Sequence, residues 1–138
     1  EAFRKAFDNF HMDTVARYDA KKVEELLQNE GIVRNKLKIP AVIHNAKLAL
    51  EIRKEFGSFS KYIWSFSNHK TKTNHWKTLP DIPVTDAISD AMSKDMIRRG
   101  FKFCGSTICY AFMQSIGMVN DHLVTCFRHD EVSKQKQV

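Results

Sequence analysis

The sequence predicts an all-α fold, a bundle of short amphipathic helices, and three observations carry that expectation. Apolar residues recur at three- and four-residue steps through most of the chain, which is the spacing of one face of an α-helix. Capping residues and glycines punctuate these stretches where helices start and stop. Nothing alternates apolar and polar residues for long enough to propose a sheet. At 138 residues, one domain spanning 1–138 is expected, long enough to bury a core.

Composition excludes several classes. Hydrophobic residues make up 43% and charged residues 28% of the chain, an ordinary globular balance. No run approaches the roughly 18 apolar residues that span a bilayer, and no secretory signal opens the chain, so no membrane role is expected. The three cysteines are odd in number and lack framework spacing, which points to a reducing compartment and a cytoplasmic location. Lys and Arg outnumber Asp and Glu by 22 to 16, a net charge of +6. That excess suits a polyanionic partner without requiring one.

Taken in order, the elements begin with Phe3, Phe7 and Phe10 at helical spacing. No capping residue precedes them, so the pattern opens as if in mid-helix, and a segment upstream of Glu1 is expected. Asp19 caps a second helix with Val23, Leu26 and Leu27 inward and Gly31 as its stop. Residues 36–55 form a longer helix with a stripe of Ile39, Val42, Ile43, Ala46, Ala49 and Leu50. Pro40 is acceptable there only in the first turn, so the helix starts just after Asn35, and Gly57 ends it. Residues 58–67 make a short aromatic helix anchored by Phe59 and Trp64. Residues 68–84, with Pro80 and Pro83, are the one long irregular stretch, a surface loop. Thr85 or Asp86 then caps a helix ending at Arg99, with Ile88, Met92 and Met96 on one face.

The next step carries the most chemistry. Gly100 and Gly105 bound a five-residue connection containing Phe101 and Phe103, and Ser106 and Thr107 open another helix. That helix is expected to bury Ile108, Phe112 and Ile116. Its N-terminus offers N–H groups without intrahelical acceptors, which favour anions. Arg99, Gly100, Lys102, Gly105, Ser106 and Thr107 are the expected contacts to DNA phosphates, with Arg98 nearby. Such contacts fix position on a duplex and read no sequence. An ordinary glycine-capped corner between two helices explains the same residues more blandly. Downstream, His122 and Cys126 are four apart. On a helix they share a face and supply two of the four ligands of a structural Zn²⁺, with His129 a third ligand at best. Cys104 and Cys109 are expected to be buried, as are Tyr110 and Trp64.

Helix, G-x-x-x-x-G-S/T, helix, a glycine turn at Gly117, then Val119-Asn120-Asp121-His122 resembles the helix-hairpin-helix DNA glycosylases. In many members an Asp follows the second turn and activates water. Asn120 holds the matching position here, and an amide cannot act as a general base. The segment RGFKFCGSTICYAFMQSIGMVNDHLVTC closely resembles the C-terminal signature of the bacterial DNA-3-methyladenine glycosylase I family. NEGIVRNKLKIPAVIHNAKLAL, YIWSFSNHK and TDAISDAMSKDMIRRG extend the likeness in order over residues 1–130.

The resemblance implies an all-α helix-hairpin-helix DNA glycosylase-like bundle. It further implies base-excision repair: monofunctional hydrolysis of the N-glycosidic bond of 3-methyladenine by a monomer acting on double-stranded alkylated DNA. A structural zinc in the family ties the termini, with a Cys and a His from an N-terminal segment and a C-terminal pair matching His122 and Cys126. The family also lacks the common Asp, in accord with Asn120. Its base pocket draws on N-terminal aromatics and a Glu, so the catalytic residues are expected in a segment preceding Glu1. The alternative is a non-catalytic helix-hairpin-helix DNA-binding module, marked by salt-sensitive binding with no preference for alkylated DNA.

Overall fold

Phe3, Phe7 and Phe10 stack as their spacing demands, with ring centroids 6.2 and 5.6 Å apart, but the helix expected to carry them is broken. In the computed structural model, which describes residues 1–134, α1 (Ala2–Ala6) gives way to a tight turn at Asp8–Phe10 before α2 (Met12–Val15). Asp8, Asn9 and Phe10 have φ of 49°, 55° and 55°. Asp and Asn tolerate this left-handed region better than most residues, and the Tyr18 hydroxyl secures the turn by donating to Asp8. The kink swings Phe7 inward, where it is fully buried.

Helix α3 (Ala20–Gln28) begins as expected, with Asp19 Oδ1 accepting from the Lys22 N–H at 2.9 Å. It stops earlier than Gly31. Asn29 turns extended at ψ 111°, and its side chain accepts from the Gly31 N–H at 2.8 Å. An Asn side-chain turn thus does what the glycine was expected to do. Helix α4 (Lys38–Phe56) starts where Asn35 Oδ1 accepts from the Leu37 and Lys38 N–H groups, both at 2.9 Å. Pro40 lies in its first turn, and Gly57 closes it at φ 84°. Helices α2 and α3 pack on α4 around Phe7, Val15, Leu26, Ile32, Ile39 and Ile43.

These elements form one compact unit, Glu1–Phe59 with Ile97–Phe103; a second comprises Ser60–Met96 with the chain from Cys104 onward. Helix α5 (Phe59–Ser65), which apart from Phe59 lies in the second, buries Tyr62 and Ile63, whereas Phe59 and Trp64, the expected anchors, are half-buried. The irregular stretch contributes β1 (Lys72–Thr73), paired in parallel with β2 (Val119–Asn120). This two-stranded ladder is the departure from an all-helical chain among the described residues, and strands so short leave no alternating pattern to detect. Helix α6 (Ala87–Arg98) starts with a reciprocal cap: Asp86 Oδ1 accepts from the Ser89 N–H, and Ser89 Oγ from the Asp86 N–H, both at 2.8 Å. Helix α7 (Ser106–Ser115) and α8 (Phe127–Lys134) complete the unit.

Helix α7 overturns one expectation. It buries Cys109, Tyr110 and Met113, while Ile108 and Phe112 are 60% and 39% exposed and Ile116 is half-buried. The consecutive apolar residues from Ile108 to Met113 fall on more than one face of the helix, so spacing alone does not choose between them. Packing chose the one a position further along.

Candidate functional site

The connection from α6 to α7 is divided between the units. Its first part, together with the last residues of α6 (Ile97–Phe103), belongs to the first unit, and α4 holds Arg99, Gly100 and Lys102. Gly100 takes φ 95°, a conformation that disfavours any side chain. The His44 ring is 2.9 Å from the Gly100 carbonyl, which accepts from Nε2. Asn45 grips Lys102 from both sides, donating to its carbonyl at 2.8 Å and accepting from its N–H at 2.9 Å. The Arg99 guanidinium makes a bidentate pair with Glu55, at 2.7 and 3.0 Å, and lies over the Phe56 ring at 5.2 Å. Arg99 is thereby engaged within the protein, and the exposed Lys102 is the cation the turn presents. Phe101 is buried against Phe59. Phe103 is instead 55% exposed at φ 58°, with the Lys38 ammonium 6.0 Å from its ring.

The second part opens the second unit. Gly105 is the N-cap of α7 with φ −62° and ψ 162°, so it needs no glycine freedom. A Cβ there would meet nothing within 4 Å. Bare backbone, and no special dihedral, is what Gly105 provides. The Ser106 hydroxyl donates to Asp90 and shares a 2.8 Å bond with Ser89 Oγ. Thr107 is exposed. The anion-favouring groups are therefore the first backbone N–H groups of α7.

Beyond the Gly117 turn, at φ 76°, lies a dense polar cluster. Asn120 is 2% exposed. Its Nδ2 donates to the His129 carbonyl at 3.0 Å and to Ser133 Oγ at 3.1 Å, and its Oδ1 accepts from the His122 N–H at 3.2 Å. The side chain is structural and fully committed. Asp121 beside it accepts four bonds: Asn74 Nδ2 and Trp76 Nε1 reach Oδ1 at 2.7 Å each, and Tyr110 OH and Gln114 Nε2 reach Oδ2 at 2.6 and 2.9 Å. Burial pushes its carboxyl up, but the donors outweigh burial and hold it below the usual carboxylate range. Burial and the Asp121 charge push the Tyr110 phenol up. An open groove of about 560 Å³ runs past Gln114, Gly117, Asn120, Asp121, His122 and Arg128.

His122 and Cys126 sit on an irregular turn leading into α8, not on a helix. That turn, closed by the Cys126 N–H donating to the Leu123 carbonyl at 2.8 Å, still brings Nδ1 and Sγ to 3.9 Å. A nitrogen and a sulfur at that separation fit two ligands of a tetrahedral Zn²⁺, whose bonds are about 2.0–2.3 Å long. His129 is no third ligand: it is buried, with Nε2 donating to the Asn74 carbonyl at 2.8 Å and Nδ1 facing Asp130 at 3.2 Å. Among the described residues, no group of three or more His, Cys, Asp or Glu side chains could hold a metal. Cys109 is buried, its thiol pushed up to about 11 by burial and by Cys104.

Spacing and composition missed Asn45, His44 and Asp121. Their trace in the sequence is faint. His44 and Asn45 are polar residues off the apolar stripe of α4, and Asp121 adjoins Asn120.

A mostly helical frame with two helices joined by a glycine-turned, backbone-anchored connection defines the class: a helix-hairpin-helix fold of the DNA glycosylase type. The methyladenine glycosylase family model matches residues 1–129, and the chain belongs to that family. DNA-3-methyladenine glycosylase 1 of Escherichia coli (strain K12) is 44% identical over 126 residues, 91% of this chain and 67% of the relative. DNA-3-methyladenine glycosylase of Haemophilus influenzae is 42% identical over 126 residues, 91% of this chain and 68% of the relative. A crystal structure of a variant 3-methyladenine DNA glycosylase I in complex with 3-methyladenine superposes with a TM-score of 0.88 at 31% identity, covering 99% of this chain and 71% of that one.

Proposed function

We infer that the protein acts in base-excision repair, hydrolysing the N-glycosidic bond of 3-methyladenine in alkylated DNA without cutting the strand. The observation that carries this reading is the family match along residues 1–129, supported by two relatives above 40% identity that bear this activity in their names.

The polar cluster is compatible with the chemistry. Methylation at N3 puts positive charge on adenine, so the base leaves neutral and needs no strong acid. Asn120 offers no general base. Asp121 has both oxygens filled by four donors and is a weak base by its lowered pKa. The reaction instead asks the protein to take the base from the stack and hold a cation against aromatic faces, worth roughly 0.5–2 kcal/mol per contact. Double-stranded DNA is docked, on this reading, by the first N–H groups of α7 at Gly105, Ser106 and Thr107 and by the Lys102 ammonium. Arg99 and Gly100 act through the shape of the turn. A DNA substrate and three free thiols support a cytoplasmic enzyme.

His122 and Cys126 are proposed to supply two of the four ligands of a structural zinc. Metal analysis should then find about one zinc per protein, lost in His122→Ala or Cys126→Ala. Full retention in both variants overturns the assignment.

The activity is tested by incubating the protein with methylated duplex DNA and separating the products by chromatography. Free 3-methyladenine with intact strands is the expected result. Duplex binding with no base released, and no preference for methylated DNA, would transfer the protein to the non-catalytic DNA-binding reading.

A further inference from the structure

One contact between α4 and the α6–α7 connection has a form that stability alone does not explain. The Asn45 carboxamide bonds both to the N–H and to the carbonyl of a single residue, Lys102, at 2.9 and 2.8 Å. Holding both peptide groups restricts φ and ψ of Lys102 together, and so the direction in which its side chain leaves the backbone. That side chain is exposed. The next residue, Phe103, adopts φ 58°, which a bulky side chain avoids unless its surroundings impose it. The clamp thus holds the residue that immediately precedes an otherwise disfavoured backbone conformation. Of the side chains this short, only an amide presents a donor and an acceptor side by side.

We propose that Asn45 is a positioning residue for DNA docking: it pre-sets the Lys102 backbone so that the ammonium meets a phosphate without first having to be ordered. A cation on a loose turn loses conformational freedom when it binds, and a clamped one has already lost it. His44 assists by fixing the Gly100 carbonyl one step upstream. The proposal rests on the DNA-docking reading given above and names a residue that touches no DNA itself.

The test measures binding of the full chain to a duplex carrying a stable abasic-site analogue, by fluorescence anisotropy between about 50 and 200 mM salt. Four variants are compared: Asn45→Leu, which removes donor and acceptor at similar size; Asn45→Asp, which keeps the acceptor and sets a carboxylate oxygen against the Lys102 carbonyl; Lys102→Gln; and Asn45→Leu with Lys102→Gln. Lys102→Gln should weaken binding about fivefold and reduce the salt slope by about one. Asn45→Leu and Asn45→Asp should each weaken binding by up to about the same factor, because the ammonium must then be ordered on binding, and the double variant should be no weaker than Lys102→Gln alone. A general loss of folding would add to the Lys102 effect; that additive pattern overturns the proposal. So does wild-type binding by both Asn45 variants. If Asn45→Leu does not fold, Asn45→Asp carries the comparison. Unchanged binding by Lys102→Gln would instead refute the docking role of the turn, while release of 3-methyladenine by the wild-type protein remains a separate readout of the enzymatic reading.

Discussion

Replacing Asp121 should separate the charge of its carboxylate from its role as an acceptor. Four donors converge on it: Asn74 and Trp76 on one oxygen, Tyr110 and Gln114 on the other. In Asp121→Asn the amide oxygen must face Asn74 and Trp76, because an indole N–H can only donate. The new NH₂ then faces Tyr110 and Gln114, and both can adapt, the hydroxyl by accepting and the carboxamide by flipping. All four bonds survive but lose their ionic assistance, about 1 kcal/mol each. Relief from desolvating a carboxylate offsets part of that, leaving a net loss of about 2 kcal/mol. Asp121→Ala leaves all four donors without an acceptor, and the loss should reach about 4 kcal/mol. Both tryptophans, Trp64 and Trp76, lie in the second unit, so tryptophan fluorescence during urea titration reports on the part of the chain that is perturbed. At about 3 °C per kcal/mol, the alanine variant should melt about 12 °C lower. Equal losses in the two variants, or a loss below about 1 kcal/mol in Asp121→Ala, would refute the view that the cluster is held by one shared acceptor.

Three further outcomes are expected. Gly100→Ala should destabilise the first unit by about 1–2 kcal/mol in urea denaturation followed by far-UV circular dichroism, because φ 95° strains any side chain even though the nearest atom, Leu48 Cδ1, is 3.6 Å away; Gly105→Ala, in open space at φ −62°, should stay within about 0.5 kcal/mol of wild type in the same experiment. Met113→Ala should cost about 3 kcal/mol, since the side chain is 0% exposed, while Ile108→Ser should leave the melting temperature nearly unchanged. The Asn74 carbonyl and the Asp130 carboxylate raise the pKa of His129 above its ordinary value. A raised folded pKa makes this stabilisation fully present below about pH 6.5 and lost as pH rises through the folded value. An NMR titration of the imidazoles should place His129 above that ordinary value, and a lowered His129 would contradict the bonding described.

Much of the fold was legible because local rules decided it. The Asp19 cap, the start of α4 after Asn35, the stop at Gly57 and the Asp86 cap each depend on a few neighbouring residues, and each forms as expected. Two of the misses share one cause: residues outside the segment chose between alternatives that were locally equivalent. The Phe3–Phe10 pattern fits one continuous helix, yet burial of Phe7 and the Tyr18–Asp8 bond break it at a left-handed turn. Two apolar faces compete on α7, and tertiary packing took the one with Tyr110 and Met113. His122 and Cys126 were paired for a helical reason that does not apply, and the turn that replaces the helix brings them together by its own closing bond.

What the sequence by itself determined is the kind of protein: a mostly helical chain with a glycine-turned hairpin, a net charge of +6 and the signature segments of the methyladenine glycosylases. Those features live in residue types and short spacings, which survive without coordinates. Tertiary structure alone decided which groups are available for chemistry. Arg99 and Lys102 look alike as cations in the chain, but one is tied to Glu55 and the other stands exposed above an asparagine clamp. Gly100 and Gly105 look alike as hairpin glycines, but only the first needs its freedom. Availability depends on hydrogen-bond partners more than forty residues away in the chain, and no local pattern records those.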